Sequence, residues 1–202
     1  MRCAVGRTKM PKLSVAALLT RLWRHVSGLL PADVVRFYAV YKEGGVYMDS
    51  DILMKKRFDR FIPEHGFATF HEHIGQQLQL QAAFLMGEKG NAYCKAVFDY
   101  YNQRPFLKPD GTYDLTISPV VMLDMAYARG YKTEDTEQHL EDGVVIYPGY
   151  YLTPCNRGVD VHPDAFALHT IYGSWRTRKL GRRIELYVKH LFKVCRYLLF
   201  RR

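Results

Sequence analysis

Two acidic side chains, Asp49 and Asp51, stand one residue apart just after a short apolar segment, residues 46–48. The glycine pair before this segment and its apolar composition predict a short buried strand. Paired carboxylate oxygens at a strand end are ligands that Mg²⁺ and Mn²⁺ prefer, and both ions accept a site completed by substrate and water. The pair therefore predicts a divalent-cation site, with an ordinary polar turn as the alternative.

A helix is expected immediately before this strand. Pro31 can begin it, with Asp33 in or near its capping position, and Gly44-Gly45 would end it. Their spacing of three residues puts Asp33 and Arg36 on one helix face. Each has a plain structural alternative, since Asp33 suits a helix cap and Arg36 a solvated surface.

Beyond the acid pair, the sequence predicts strands and helices in alternation, which indicates an α/β sandwich rather than a bundle or a barrel. Apolar runs predict strands at 52–54, 66–71, 80–86, 144–147 and 165–169. Helical patterns cover 92–101 and 120–129, with a loop over 105–111.

Composition narrows the class of protein. The 202 residues are 48% hydrophobic, enough for one domain with a substantial core, and the formal net charge of +9 favours anionic partners such as nucleotides, diphosphates or anionic lipid. The four cysteines form no close pair, which argues against a zinc knuckle or a disulfide framework. We expect no nucleic-acid binding, because no recognition motif is present and the basic residues concentrate near the ends.

The two ends of the chain form separate segments. Apolar residues at helical spacing predict an amphipathic helical segment within residues 1–30 and a basic amphipathic helix over 181–202. The second helix could lie on an anionic membrane surface or pack on the core. No run reaches the roughly 20 apolar residues of a membrane-spanning helix, so the expectation is a cytoplasmic protein, with the inner face of the cytoplasmic membrane as its place of peripheral binding.

A rival metal site is offered by His71 and His73. Alternate residues of a strand share a face, so their two imidazoles could converge on Zn²⁺. The spacing specifies no third ligand, and an exposed edge strand explains the pair equally well.

The order of these residues resembles the DXD segment of glycosyltransferase family 32, the sugar transferases of capsular-polysaccharide and outer-chain mannosyl type. The matching positions are Asp33, Arg36, Tyr41, Gly44, Gly45, Tyr47, Asp49 and Asp51. Later landmarks also resemble the family: Glu88-Lys-Gly-Asn91, Ser118-Pro119, 145–148, Ala167-Leu-His169 and Gly173-Ser174-Trp175. The resemblance runs from about Ala32 to about Trp175, within a transferase domain placed at 31–180.

The resemblance implies a GT-A-like nucleotide-sugar transferase sandwich, with a mixed central sheet flanked by helices. It implies a retaining transfer of sugar from a UDP- or GDP-sugar to a polysaccharide or lipid-linked glycan, with Mn²⁺ or Mg²⁺ as cofactor. Asp51 and His169 would bind the metal, and Asp49 would hold the ribose or a metal-bound water.

The resemblance assigns the remaining residues to the donor. Asp33 and Arg36 would contact the donor sugar and its diphosphate, with Tyr47 lining the pocket. Ser174 and Trp175 would close over the diphosphate, and Asp33, Arg36 and Trp175 are the expected catalytic residues. From the residues alone, Tyr47 and Trp175 also suit a packed core, and His169 also suits a hydrogen-bonded core histidine.

Two departures from the family pattern give a second hypothesis. No segment before Asp33 resembles the family's first nucleotide-binding strand, which predicts an N-terminally truncated member. Gln81-Ala82-Ala83 stands where the family often has an asparagine. The alternative function is therefore an inactive remnant that acts, if at all, as a binding or interaction protein.

Overall fold

The computed structural model describes residues 29–104, 108–154 and 161–170, together with positions 181, 185, 187, 188, 191 and 192. Its helices in these ranges are α1 (Leu29–Glu43), α2 (Ala92–Gln103) and α3 (Ser118–Tyr127). Its strands are β1 (Gly45–Met48), β2 (Ile52–Met54), β3 (Phe67–Ile74), β4 (Gln77–Leu80), β5 (Phe84–Gly87), β6 (Gln138–His139), β7 (Val144–Tyr147), β8 (Leu152–Pro154) and β9 (Ala167–His169).

The strands form a larger and a smaller sheet. The larger sheet has the order β1-β5-β3-β7-β6, and β4 pairs with the second half of β3. It is mixed, because β3 is parallel to β7 but antiparallel to β5 and β4. In the smaller sheet β9 lies between β2, to which it is antiparallel, and β8, to which it is parallel.

Side chains on the two faces of the larger sheet belong to different cores. Phe67 packs on one face with apolar residues from all three helices, whereas Ala68 and Phe70 pack on the other with residues of the smaller sheet. This alternation follows from the two-residue period of a strand. The fold is therefore layered, with helices on one face of the larger sheet and the smaller sheet on the other.

Two glycines make the tight link from α1 to β1. Gly44 has a φ of +71° and Gly45 a φ of +94°, values that favour residues without a Cβ. At Gly44 space is also short, since a Cβ would lie 2.7 Å from the backbone nitrogen of Lys89. The link places β1 beside β5 and aims the following acids at the neighbouring 81–83 segment.

The mixed sheet and flanking helices confirm the predicted α/β class and are consistent with the expected GT-A-like sandwich. Three details differ from the sequence predictions. The apolar run 80–86 is two strands separated by residues 81–83, α3 begins at Ser118 rather than 120, and α1 begins at Leu29, which puts Asp33 inside the helix.

The two terminal segments are only partly described. Residues 1–28, which include most of the predicted N-terminal amphipathic segment, lie outside the described residues. The predicted C-terminal helix agrees with its described positions, all of which are helical. Among the residues that the structure describes, no helix is long and apolar enough to cross a membrane.

Candidate functional site

Arg36 joins α1 to the acid-bearing turn. Its guanidinium lies 3.4 Å from Asp33 Oδ1 and 3.6 Å from Asp49 Oδ2, and Nη1 donates a 2.7 Å hydrogen bond to the Ala82 carbonyl. Only 7% of the residue is exposed. Because these partners surround a planar group with fixed donor directions, Arg36 is held in one orientation.

Tyr47 holds the other oxygen of the same acid. Its hydroxyl donates a 2.6 Å hydrogen bond to Asp49 Oδ1, and burial, followed by this bond, raises the pKa of Tyr47 to about 12. The backbone of Asp49 is fixed as well, since its N–H donates to the Ala83 carbonyl at 2.8 Å. The Asp49 carboxylate is thus oriented by a phenol on one side and a guanidinium on the other.

Asp33 caps a helix other than its own. Its Oδ2 accepts a 2.9 Å hydrogen bond from the backbone N–H of Ser118, the first residue of α3. The residue is 3% exposed, and its burial raises the pKa of Asp33 despite the opposing charge of Arg36. The expectation that Asp33 caps α1 is therefore corrected: the carboxylate satisfies the N-terminus of α3, where a helix favours negative charge.

A second cluster forms around His169, at the end of β9. Its Nε2 lies 3.5 Å from Asp51 Oδ1, and its Nδ1 lies 3.2 Å from both Glu72 Oε1 and Gln81 Nε2. Burial opposes the charged imidazole, but hydrogen bonds with Asp51 and Glu72 prevail and raise the pKa of His169 to about 9. Thr170, just after β9, donates to the carbonyl of Asp51, just before β2, from both its N–H and its hydroxyl. These two hydrogen bonds keep the adjacent ends of β9 and β2 together.

Residues 81–83 lie between the two clusters and contact both. The Ala82 carbonyl accepts from Arg36, the Ala83 carbonyl accepts from the Asp49 N–H, and the Gln81 amide reaches His169. The structure therefore brings Asp33, Arg36, Tyr47 and Asp49 together beside Ala82 and Ala83, and Asp51 and His169 together beside Gln81. Ser174 and Trp175 lie outside the described residues.

Comparisons with known proteins concern the class to which the chain is similar. Residues 16–68 match the family described as a glycosyltransferase sugar-binding region containing a DXD motif. An uncharacterized glycosyltransferase of Acanthamoeba polyphaga mimivirus is 27% identical over 149 residues, which are 71% of this chain and 56% of that protein. The chain is thus similar, in its DXD region, to sugar transferases of this kind.

A structural comparison gives a weaker likeness. A glycosyltransferase involved in the glycosylation of the major capsid of PBCV-1 superposes with a TM-score of 0.39 at 17% identity, over 88% of this chain and 79% of that one. The chain spans little more than half the length of the mimivirus relative. The match of its DXD region indicates that the protein is a transferase.

The structure does not support the rival zinc site of His71 and His73. Asp135 lies between the two imidazoles, 3.4 Å from His71 Nδ1 and 3.0 Å from His73 Nε2. Nevertheless, across the described ranges no group of three or more His, Cys, Asp or Glu side chains is arranged to hold a metal ion, so neither this pair with Asp135 nor Asp51 and His169 with Glu72 forms a metal site made of protein ligands alone. Asp135 instead accepts from the Gly149 N–H at 2.7 Å, which identifies it as a link between loops.

Of the residues expected to bind the metal, Asp51 and His169 lie closest to each other. One carboxylate oxygen from the turn before β2 and one imidazole nitrogen from the end of β9, 3.5 Å apart, suit a divalent ion whose other ligands are substrate and water. Asp49 has its two oxygens engaged by Tyr47 and Arg36. The residues present therefore fit a cation held by two protein side chains, with Asp49 oriented nearby.

Sequence reasoning missed Glu72 and the role of Gln81. Glu72 stands between His71 and His73 in the sequence but shares a sheet face with Ala68 and Phe70, toward the smaller sheet. An acid on the apolar face of a buried strand is a signal that it has a partner there. The partner itself, His169, comes from β9, 97 residues along the chain.

Proposed function

We propose that the protein is a metal-dependent, retaining glycosyltransferase that moves a sugar from a UDP- or GDP-sugar to a polysaccharide or lipid-linked glycan acceptor. The observation that supports the proposal is that two clusters, Arg36 with Asp49 and Asp51 with His169, both contact residues 81–83. Asp33, Arg36, Tyr47, Asp49 and Asp51 all lie within the matched DXD region.

Asp51 and His169 would hold the cation in this proposal. When bound, Mn²⁺ or Mg²⁺ supplies positive charge to a diphosphate that becomes more negative as its bond to the sugar breaks. Asp49 would accept a hydrogen bond from a ribose hydroxyl, with its carboxylate oriented in advance by Tyr47 and Arg36. That orientation lowers the cost of ordering the donor.

The buried positions of Asp33 and Arg36 give them a supporting part in donor binding. Arg36 would contribute positive charge to the pocket while keeping its contacts with Asp33 and Ala82. Ser174 and Trp175 remain proposed as the residues that close over the diphosphate.

For the acceptor, we propose a membrane-associated glycan reached from an anionic bilayer surface. The C-terminal helical positions Tyr187, Val188, Leu191 and Phe192 are all exposed, and their spacing puts them on one helix face. The same segment of sequence, 181–202, is rich in Lys and Arg. An exposed apolar face beside basic residues is typical of helices that lie on anionic membranes. Binding to lipid vesicles tests this part of the proposal.

A second candidate function is a binding protein that retains the DXD region without catalysis. The engagement of Arg36 by Asp33, Asp49 and Ala82 favours it, because a guanidinium with internal partners has fewer donors left for phosphate. Such a protein would bind a nucleotide-sugar without breaking it down.

Replacement of Asp51 by Asn tests the proposed transferase. We expect the wild-type protein to hydrolyse at least one nucleotide-sugar slowly in the presence of Mn²⁺, and Asp51→Asn to reduce this rate by about 100-fold or more, because a neutral amide binds the cation poorly. Circular dichroism should show an intact fold. The control is Asp164→Asn, an exposed acid on another loop, which should keep the wild-type rate. Full activity in Asp51→Asn would refute the metal assignment.

A further inference from the structure

Glu72 is a buried acid that the proposed reaction does not yet use. It lies in β3, is 8% exposed, and faces the layer that contains β9. Moving a carboxylate from water into the protein interior is unfavourable unless a partner compensates its charge. Here the partner is the imidazole of His169, whose Nδ1 lies 3.2 Å from Glu72 Oε1.

The Gln81 amide group also lies beside this imidazole nitrogen. Its Oε1 accepts a 2.9 Å hydrogen bond from the Ala83 N–H, which turns its Nε2 toward His169 Nδ1 at 3.2 Å. The backbone of Gln81 is fixed as well, since its N–H donates to the Phe70 carbonyl at 2.8 Å. The ring of His169 is thus held from one side, and its Nε2 faces Asp51 on the other.

We propose that Glu72 is a positioning residue for the cation site: by accepting the Nδ1–H of His169, it holds the ring with Nε2 presented beside Asp51 to a divalent ion. The inference rests on the proposed function, from which the cation site comes. Only one imidazole nitrogen can bind a metal, so an acceptor at the other nitrogen selects both the tautomer and the ring orientation that binding needs.

Metal binding requires the imidazole to give up the Nε2 proton that faces Asp51, and without Glu72 the resulting neutral ring has a competing arrangement. Nδ1 can then accept from the Gln81 amide, and Nε2 carries the proton and donates to Asp51. In that arrangement the His169 nitrogen and the Asp51 oxygen bind each other instead of a cation. Glu72 therefore decides which of two hydrogen-bond patterns the site adopts.

The first test is Mn²⁺ binding to the full chain, measured by titration calorimetry without any nucleotide-sugar. Glu72→Ala should weaken Mn²⁺ binding by about 10–100-fold, the usual effect of losing such a supporting partner. Glu72→Met, which keeps the length of the side chain but has no acceptor oxygen, should do the same. Glu72→Gln, whose amide oxygen can accept from Nδ1–H, should restore most of the affinity.

The matched control is Glu137→Ala. Glu137 also contacts an imidazole, with 2.9 Å between Oε1 and His139 Nε2, but that pair is exposed and lies outside the site. Its loss should leave Mn²⁺ binding unchanged. The comparison separates a carboxylate that positions the metal site from one that only contacts a histidine.

A second readout needs no metal. Nuclear magnetic resonance of the metal-free protein should show a slowly exchanging imidazole Nδ1–H that is absent in His169→Gln, present in Glu72→Gln and lost in Glu72→Met. Persistence of this proton and of wild-type Mn²⁺ affinity in Glu72→Met would overturn the inference and leave the proposed function intact. If the wild-type protein binds no Mn²⁺, the metal site of the proposed function fails and the inference fails with it.

Discussion

His71, the buried histidine of β3, has an environment that opposes its charged form. It is 0% exposed, and its Nδ1–H donates to the Tyr147 carbonyl at 3.1 Å. Burial lowers the pKa of His71, and His73 adds to this effect, whereas the nearby carboxylate of Asp135 opposes it. The residue is therefore neutral in the folded protein at pH values where an unfolded histidine takes up a proton.

This difference predicts a pH dependence of stability. Because the unfolded chain binds the proton more tightly, the contribution of His71 is fully present above its ordinary pKa of about 6.5 and is lost as the pH falls through the lower folded value. In urea unfolding of the metal-free protein, the slope from this one proton should approach about 1.4 kcal/mol per pH unit. His71→Asn, whose amide can still donate to Tyr147, should reduce that slope.

The control for this prediction is His65→Asn, which changes an exposed histidine and should leave the slope as in the wild type. Equal slopes in His71→Asn and the wild-type protein would show that His71 does not titrate differently on folding.

Site residues whose contacts are local in the sequence could be predicted, whereas residues with distant partners could not. Arg36, Asp33, Tyr47 and Asp49 lie close in sequence, so their spacing around a helix and a strand already indicated one group. Glu72 depends on the layering of β3 against β9, which no local pattern contains.

At the scale of elements, the segment 81–83 explains why the apolar run around it is not one strand. The hydroxyl of Thr69 donates to the carbonyls of Gln81 and Phe84, at 2.6 and 3.2 Å, at the point in β3 between its pairing with β5 and its pairing with β4. Hydrophobic periodicity carries no information about such a contact. The interruption matters for function, because it leaves the carbonyls of Ala82 and Ala83 to bind Arg36 and Asp49.

The glycine pair between α1 and β1 offers an element-scale prediction. Gly44→Ala should destabilise the protein by about 2–4 kcal/mol, because the new Cβ meets Lys89 N as well as an unfavourable φ. Gly45→Ala should cost only about 1–2 kcal/mol, since at Gly45 nothing lies within 4 Å and only the φ is strained. Urea unfolding measures both values, and equal losses would show that the close approach of Lys89 is unimportant.

At the scale of the whole molecule, the layered fold brings residues of α1, β1, β3 and β9 to one region. The mixed α/β architecture was predictable, because apolar runs and helical spacing alternate along the chain. The pairing of β9 with β2, which sets His169 beside Asp51, could be expected only from the family resemblance, because 117 residues separate the register partners Ile52 and His169 and no local pattern relates them.

The exposed face of the C-terminal helical positions leads to a prediction about membranes. The protein should bind vesicles that contain anionic lipid, and binding should weaken as salt is raised, because screening reduces the attraction of the basic residues. Phe192 is 75% exposed, and Phe192→Glu should reduce binding by about tenfold. Leu115→Glu, at another exposed apolar position, is the control and should bind as the wild type does. Equal binding of all three proteins in a sedimentation assay would contradict a membrane role for this face.

The most direct test of the central claim is titration calorimetry with UDP- and GDP-sugars in the presence of Mn²⁺ and again with a chelator. Because the clusters around Asp49 and Asp51 are proposed to share one cation-bound diphosphate, at least one nucleotide-sugar should bind with Mn²⁺ and lose most of its affinity with the chelator or in Asp51→Asn. No binding across the panel, or binding that neither the chelator nor Asp51→Asn changes, would contradict the account.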